Sequence, residues 1–165
     1  MDWVFLSPHF DDAILSCGGL IWEKTQAGDT VQIWTIFAGE LPAGELSPFA
    51  EELHQRWQTG SDAIRIRRDE DFRACQRVGA GLRHFPPPDC IYRRDLEISR
   101  ISNSSASSHR QKAADFLYPT QESIFGDVHP AEQEMIAWLG NTLRQALPDS
   151  ARLVSPLAVG NHVDH

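Results

Sequence analysis

The chain has 165 residues, of which 41% are apolar and 23% charged, with a formal net charge of −8. That is enough chain for one hydrophobic core, and the acidic balance argues against a nucleic-acid partner. No apolar run approaches the roughly 20 residues of a membrane span, and the N-terminus lacks the basic start and cleavage site of a signal peptide.

Cys17, Cys75 and Cys90 are odd in number and have no CxxC spacing. They read as reduced thiols in a cytoplasmic protein. Residues 3–6 (WVFL) predict a short buried strand. From Asp12 or Ala13 to about Gln26 the pattern is helical, with Ile14, Leu15, Gly18, Ile21 and Trp22 on one side and Gly28 ending it. Residues 30–37 (TVQIWTIF) are β-branched and aromatic and predict a second strand. "AGELPAGELSP" reads as a loop. Helices follow from about Pro48 to Gln58 and from about Ile66 to Val78, the second presenting Phe72, Cys75 and Val78 at i, i+3, i+6. Arg65, Arg67 and Arg68 lie among Asp62, Asp69, Glu70 and Asp71 and read as a mixed-charge helix face. "LRHFPPPDCIYR" begins as a strand and leaves as a loop. The Ser-rich stretch 99–110 reads as a flexible excursion. "HPAEQEMIAWLGNTLRQALP" predicts an amphipathic helix with Pro130 near its first turn. "ARLVSPLAVG" reads as a last strand, followed by the loop "NHVDH".

Strand–helix–strand alternation predicts a Rossmann-like three-layer α/β/α fold with a mainly parallel sheet, as a single domain over residues 1–165. Ligands of such sheets sit beyond the carboxyl ends of the strands. "SPHFDD" and "NHVDH" both follow predicted strands, so both belong on that rim. His9 and Asp12 are three apart at a strand-to-helix turn, and His162 and His165 repeat the spacing. Imidazole and carboxylate are the donors of a first-row metal, and three protein ligands plus one open position mark a catalytic zinc site. The plain alternatives are an aspartate capping the helix and an HxxH that is only an exposed polar loop. His54, His84, His109 and His129 have no such company and read as surface or structural residues.

"PHFDDAILSCGG" resembles the first signature of the PIG-L/LmbE-like N-acetylglucosaminyl deacetylases, A/P-H-x-D-D-x-x-L-x-x-G-G, and "NHVDH" resembles their second, H-P-D-H. Arg67, Glu70, Ala74, Val78 and Gly79 match the family's R-x-x-E-x-x-x-A-x-x-x-[LV]-G helix. "PPPDCIYR" resembles the loop that carries a substrate-contacting aspartate. The resemblance runs in order from residue 4 to residue 165 and looks nearest to the branch that includes glycopeptide-antibiotic deacetylases. It implies zinc, or another divalent metal such as Fe2+, on His9, Asp12 and His165. It implies Asp11 as general base, His162 as an imidazolium facing the oxyanion, and Arg67 and Asp89 in contact with a small-molecule amino sugar. The implied reaction is hydrolytic removal of an N-acyl (acetyl) group from an amino sugar or its conjugate. The alternatives are an amidase acting on another sugar-conjugate amide, or a non-catalytic sugar-binding module. Phe10 stands where the family usually has Pro, and Ala13 where many members have Glu. The chain stops at His165, where family members continue with a helix and further strands, so the resemblance also implies a domain incomplete at its C-terminal end.

Overall fold

The structure is a computed structural model that describes residues 1–95 and 116–165. The Ser-rich stretch 99–110, with His109, lies outside the described residues.

Four parallel strands form the sheet: β1 (Asp2–Ser7), β2 (Thr30–Thr35), β3 (Gly81–His84) and β4 (Arg152–Val154), in the order β3-β2-β1-β4. Val4 pairs with Gln32 on one side and Leu153 on the other, which fixes the register of the central strand. Parallel strands need crossovers, and helices supply them. These are α1 (Asp12–Gln26), α2 (Pro48–Trp57), α3 (Ala63–Val78) and α4 (Gln133–Ala146).

Alternation along β1 and β2 sorts the core into two faces. Phe5, Val31 and Ile33 pack with Ala13, Ile21 and Cys75 beneath α1 and α3. Val4 and Trp34 face the other way and pack with Met135 of α4, Phe37 and Phe85. Helices on both faces make the expected three layers. Ile33 is fully buried, so truncating it to alanine would cost about 2–5 kcal/mol. A third cluster, with Phe10, Ala50, Ile64, Cys90, Tyr92 and Ile124, sits on the carboxyl rim of the sheet and carries the loops.

Three expectations are corrected. The inner face of α1 is Ala13, Cys17 and Ile21, whereas Leu15 and Trp22 are exposed; i, i+4, i+8 is a tighter helical stripe than the apolar residues alone suggest. Helix α3 begins at Ala63 and turns Ile64, Asp71 and Cys75 inward, leaving Phe72 half exposed. The last strand is only three residues long. Gly79 ends α3 in the left-handed conformation, φ 75°, that glycine adopts most readily. Among the described residues no helix is long and apolar enough to cross a membrane.

Candidate metal centre and active site

The order β3-β2-β1-β4 reverses between β1 and β4, and the loops after these two strands open there together, where open parallel sheets bind ligands. The first loop is folded by Ser7. Its hydroxyl donates to the His9 carbonyl at 2.7 Å and accepts from the Ala13 N–H at 2.9 Å. The His9 N–H donates to Asp12 Oδ2 at 2.8 Å. Phe10, where the family usually has Pro, is buried in the rim cluster. Asp11 occupies the N-cap position of α1 with φ 69° and makes no side-chain capping bond. A left-handed conformation in a residue with a Cβ costs about 1–2 kcal/mol, so the surroundings must hold it. The plain capping reading of Asp11 therefore fails.

The second loop is pinned to residues 124–126. Val163 N–H donates to the Ile124 carbonyl and Gly126 N–H to the Asn161 carbonyl. His165 N–H donates back to the His162 carbonyl at 2.9 Å, closing a turn that turns His162 and His165 toward His9. Asp164, to which the sequence motifs assign no role, is buried between them. Its Oδ2 lies 2.9 Å from His9 Nε2 and accepts the Cys90 N–H at 3.1 Å. Its other oxygen pairs with Arg93, whose Nη1 reaches Glu132 at 2.8 Å and whose Nε donates to the Pro88 carbonyl at 2.9 Å. Arg93, Glu132 and Asp164 have almost no exposed side chain. The Arg93 guanidinium keeps the Asp164 carboxyl well below the usual carboxylate range even though burial opposes this.

His9 sits among three carboxylates. Burial disfavours its charged ring, but Asp89, Asp12 and Asp164 outweigh burial and push its pKa up to about 10. Burial likewise raises Asp12, and His9 more than reverses it, holding the carboxyl below its usual value. A site that draws a proton onto a histidine this strongly is short of positive charge, which is what a divalent cation supplies. One ligand atom each from His9, Asp12 and His165 lie within 4.8 Å of one another, and so do those of His9, His162 and Asp164. The donor set therefore fits a first-row metal, and the protein has a metal-binding site of this kind.

The remaining expected residues surround this point. Burial raises the Asp11 carboxyl above its usual value, with Arg67 opposing it; Arg67 Nη2 stands 3.6 Å from Asp11 Oδ2. Arg67 is not paired with the exposed Glu70. It packs over Trp57 and Phe10 and donates to the Phe10 carbonyl at 3.3 Å. Asp89 serves two ways: Oδ1 accepts the Ile91 N–H at 3.2 Å, and Oδ2 lies 3.8 Å from His9 Nε2. His162 lies on the same loop as His165 and faces His9. Burial and the His9 charge lower its pKa, and Nδ1 accepts the Asp164 N–H at 3.2 Å. With Nδ1 taken by that bond, Nε2 is the ring nitrogen left to face a ligand. A cavity of about 360 Å³ opens beside these groups, lined by His9, Asp12, Arg67, Asp89 and His162 together with Arg56, Gln121 and the apolar Phe49, Leu53, Trp57, Ile91, Ile124 and Phe125.

A parallel three-layer domain with imidazole and carboxylate donors meeting at the strand ends belongs to the class of metal-binding α/β/α proteins. The family is shown by sequence as well: the family model described as GlcNAc-PI de-N-acetylase (PIG-L) matches residues 4–165, and the chain belongs to that family. A 2'-N-acetylparomamine deacetylase of Niallia circulans is 27% identical over 179 residues, covering 99% of this chain and 58% of its own length. Among solved structures, a deacetylase–bog complex of the teicoplanin biosynthesis pathway matches with a TM-score of 0.77 at 27% identity, over 100% of this chain and 58% of that one. The zinc-inhibited form of a teicoplanin deacetylase matches with a TM-score of 0.69 at 28% identity, over 100% and 59%. The chain thus spans less than two thirds of the length of these relatives.

Proposed function

We propose that the protein is a zinc-dependent N-deacetylase that acts on an N-acetylated amino sugar carried on a larger conjugate, with N-acetylglucosamine as the sugar. The observation that carries this reading is the convergence of His9, Asp12 and His165 from loops at opposite ends of the chain, with a separate carboxylate, Asp11, beside them. The names of the relatives support the reading, since one is a 2'-N-acetylparomamine deacetylase and another a deacetylase of the teicoplanin biosynthesis pathway.

Zinc would be held by His9, Asp12 and His165, and would supply the Lewis acidity that polarises an amide carbonyl and makes water nucleophilic near neutral pH. Asp11, raised in pKa and free of any cap, takes the proton from the attacking water. His162 offers its Nε2 proton to the carbonyl oxygen as negative charge grows there. The C–N bond breaks, the nitrogen leaves as the free amine with the proton Asp11 carried, and acetate is the second product. Arg67 and Asp89 hold sugar hydroxyls, and Trp57 gives a sugar ring or its aglycone an apolar face.

The test pairs metal content with turnover. The purified protein should carry about one zinc per chain. It should free amine and acetate in equal amounts from p-nitrophenyl N-acetyl-β-glucosaminide. His9→Ala and Asp12→Ala should lose both properties. His162→Ala should keep the metal and lose about 10²–10³ in kcat. Stoichiometric zinc with no amide hydrolysis on a panel of N-acetyl glucosamine conjugates would leave a metal-dependent sugar-binding module.

A further inference from the structure

We infer that Asp71 is a positioning residue, which acts by fixing the backbone of Asp11 so that its carboxylate stays free for the proton. This rests on the reading of Asp11 as the base. Asp71 lies on α3, 60 positions from Asp11 and 1% exposed. Its Oδ1 accepts the Asp11 N–H at 3.2 Å. Its Oδ2 accepts the Thr35 hydroxyl at 3.0 Å and lies 2.9 Å from His84 Nε2. One buried carboxylate thus joins the carboxyl ends of β2 and β3 to the loop that follows β1.

The loop needs such a hold. An N-cap residue ordinarily has extended backbone and folds its side chain back onto the helix N–H groups. Asp11 has φ 69° and ψ −13° and does neither. Non-glycine residues persist in the left-handed region only where the surroundings over-determine them. Asp11 is held on both sides of its α-carbon: its carbonyl accepts the Leu15 N–H at 2.8 Å, and its N–H is taken by Asp71. The carboxylate is then left beside Arg67 with half its surface open. Without the Asp71 bond, Asp11 could relax to extended backbone and cap α1, which would occupy the oxygen that the reaction needs. Thr35 and His84 serve to lock Asp71 in its rotamer.

A double-mutant cycle on zinc-loaded protein tests this, with p-nitrophenyl N-acetyl-β-glucosaminide as the probe. Asp71→Ala should lower kcat about tenfold, within the range for directly coupled groups, with KM and zinc content unchanged. In an Asp11→Asn background the same change should cost less than about twofold, because the base it positions is already gone. Asp71→Asn keeps an oxygen for the amide and should retain kcat within about threefold. Hydrogen exchange of the Asp11 amide, read by NMR without substrate, should be slow in the wild type and in Asp71→Asn and fast in Asp71→Ala. Equal penalties for Asp71→Ala in both backgrounds, or an Asp11 amide still protected in that variant, overturn the proposal alone. If Asp71→Ala does not fold, a tenfold loss or a fast Asp11 amide in Asp71→Asn overturns it. Wild-type kcat in Asp11→Asn removes the base reading, and the proposal falls with it.

Discussion

Substituting Arg93 by alanine strips two buried carboxylates of their partner. Glu132 and Asp164 are each 1% or less exposed at the side chain, so solvent cannot replace the guanidinium. Breaking a buried pair in this way costs about 3–5 kcal/mol. For a domain of 150–250 residues each kcal/mol lowers Tm by about 2–4 °C, so the expected drop is about 6–20 °C. Loss of the guanidinium from the Phe37 ring, 4.3 Å from its centroid, adds to it. Arg93→Lys should fall between, because an ammonium cannot fork to both carboxylates. Zinc affinity should weaken as well, since Asp164 holds His9 Nε2. Thermal unfolding followed by circular dichroism measures the first effect, with Arg56→Ala as control: Arg56 and Glu52 form an exposed pair at 3.0 Å, whose loss should move Tm by no more than about 2 °C. An Arg93→Ala protein that melts within about 3 °C of the wild type would refute the reasoning, since the buried network would then hold nothing in place.

Gly39→Ala should destabilise the protein by several degrees and weaken substrate binding, because a Cβ there would stand 2.1 Å from the Pro86 carbonyl oxygen and 2.7 Å from the Pro88 nitrogen, on the segment that leads to Asp89; an unshifted Tm in that variant would count against the close packing. His54 is buried, and burial lowers its pKa below the ordinary 6.5. The unfolded chain therefore binds more protons at this site, so its contribution is complete above about pH 6.5 and is lost as pH falls below it; Tm measured against pH should be flatter over that range in His54→Gln. Burial pushes the Cys75 thiol up to about 12 and raises Cys90 further, whereas Cys17 is partly exposed. A disulfide reagent at pH 8 should therefore titrate one thiol quickly and all three only after denaturation; rapid reaction of two or more in the folded protein would contradict the burial.

Much of the site was legible because metal donors come with short, local spacing. His9, Asp12, His162 and His165 each lie within four residues of another, and the strand-end rule alone brought the two loops together. The residues that hold them were not legible. Asp164 stands between two histidines, and nothing local marks it as the buried carboxylate. Arg93 finds its partners 39 and 71 positions away, and no local pattern announces such distances. Asp71 sits in "RRDEDFR", where one acid looks like the next. Its only signal is helical spacing: Ile64, Asp71 and Cys75 fall on one stripe, which places a carboxylate on an apolar face. The same stripe leaves Phe72 outside it, although Phe72, Cys75 and Val78 fall at i, i+3, i+6. On α1, Leu15 and Trp22 satisfied the apolar pattern without facing the sheet, because composition does not say which side the sheet is on.

His9 and Asp164 are 155 positions apart in the chain, yet hydrogen-bonded. A cation clasped between their two loops closes the segment from His9 to His165 into one ring. Treated as a cross-link, a loop of that length removes about 5 kcal/mol of chain entropy from the unfolded state. The metal would then act as a fastener for the fold as well as a reagent. A chelator should lower the melting temperature and the cooperativity of unfolding together, and a nascent chain could bind zinc tightly only after His165 had been made.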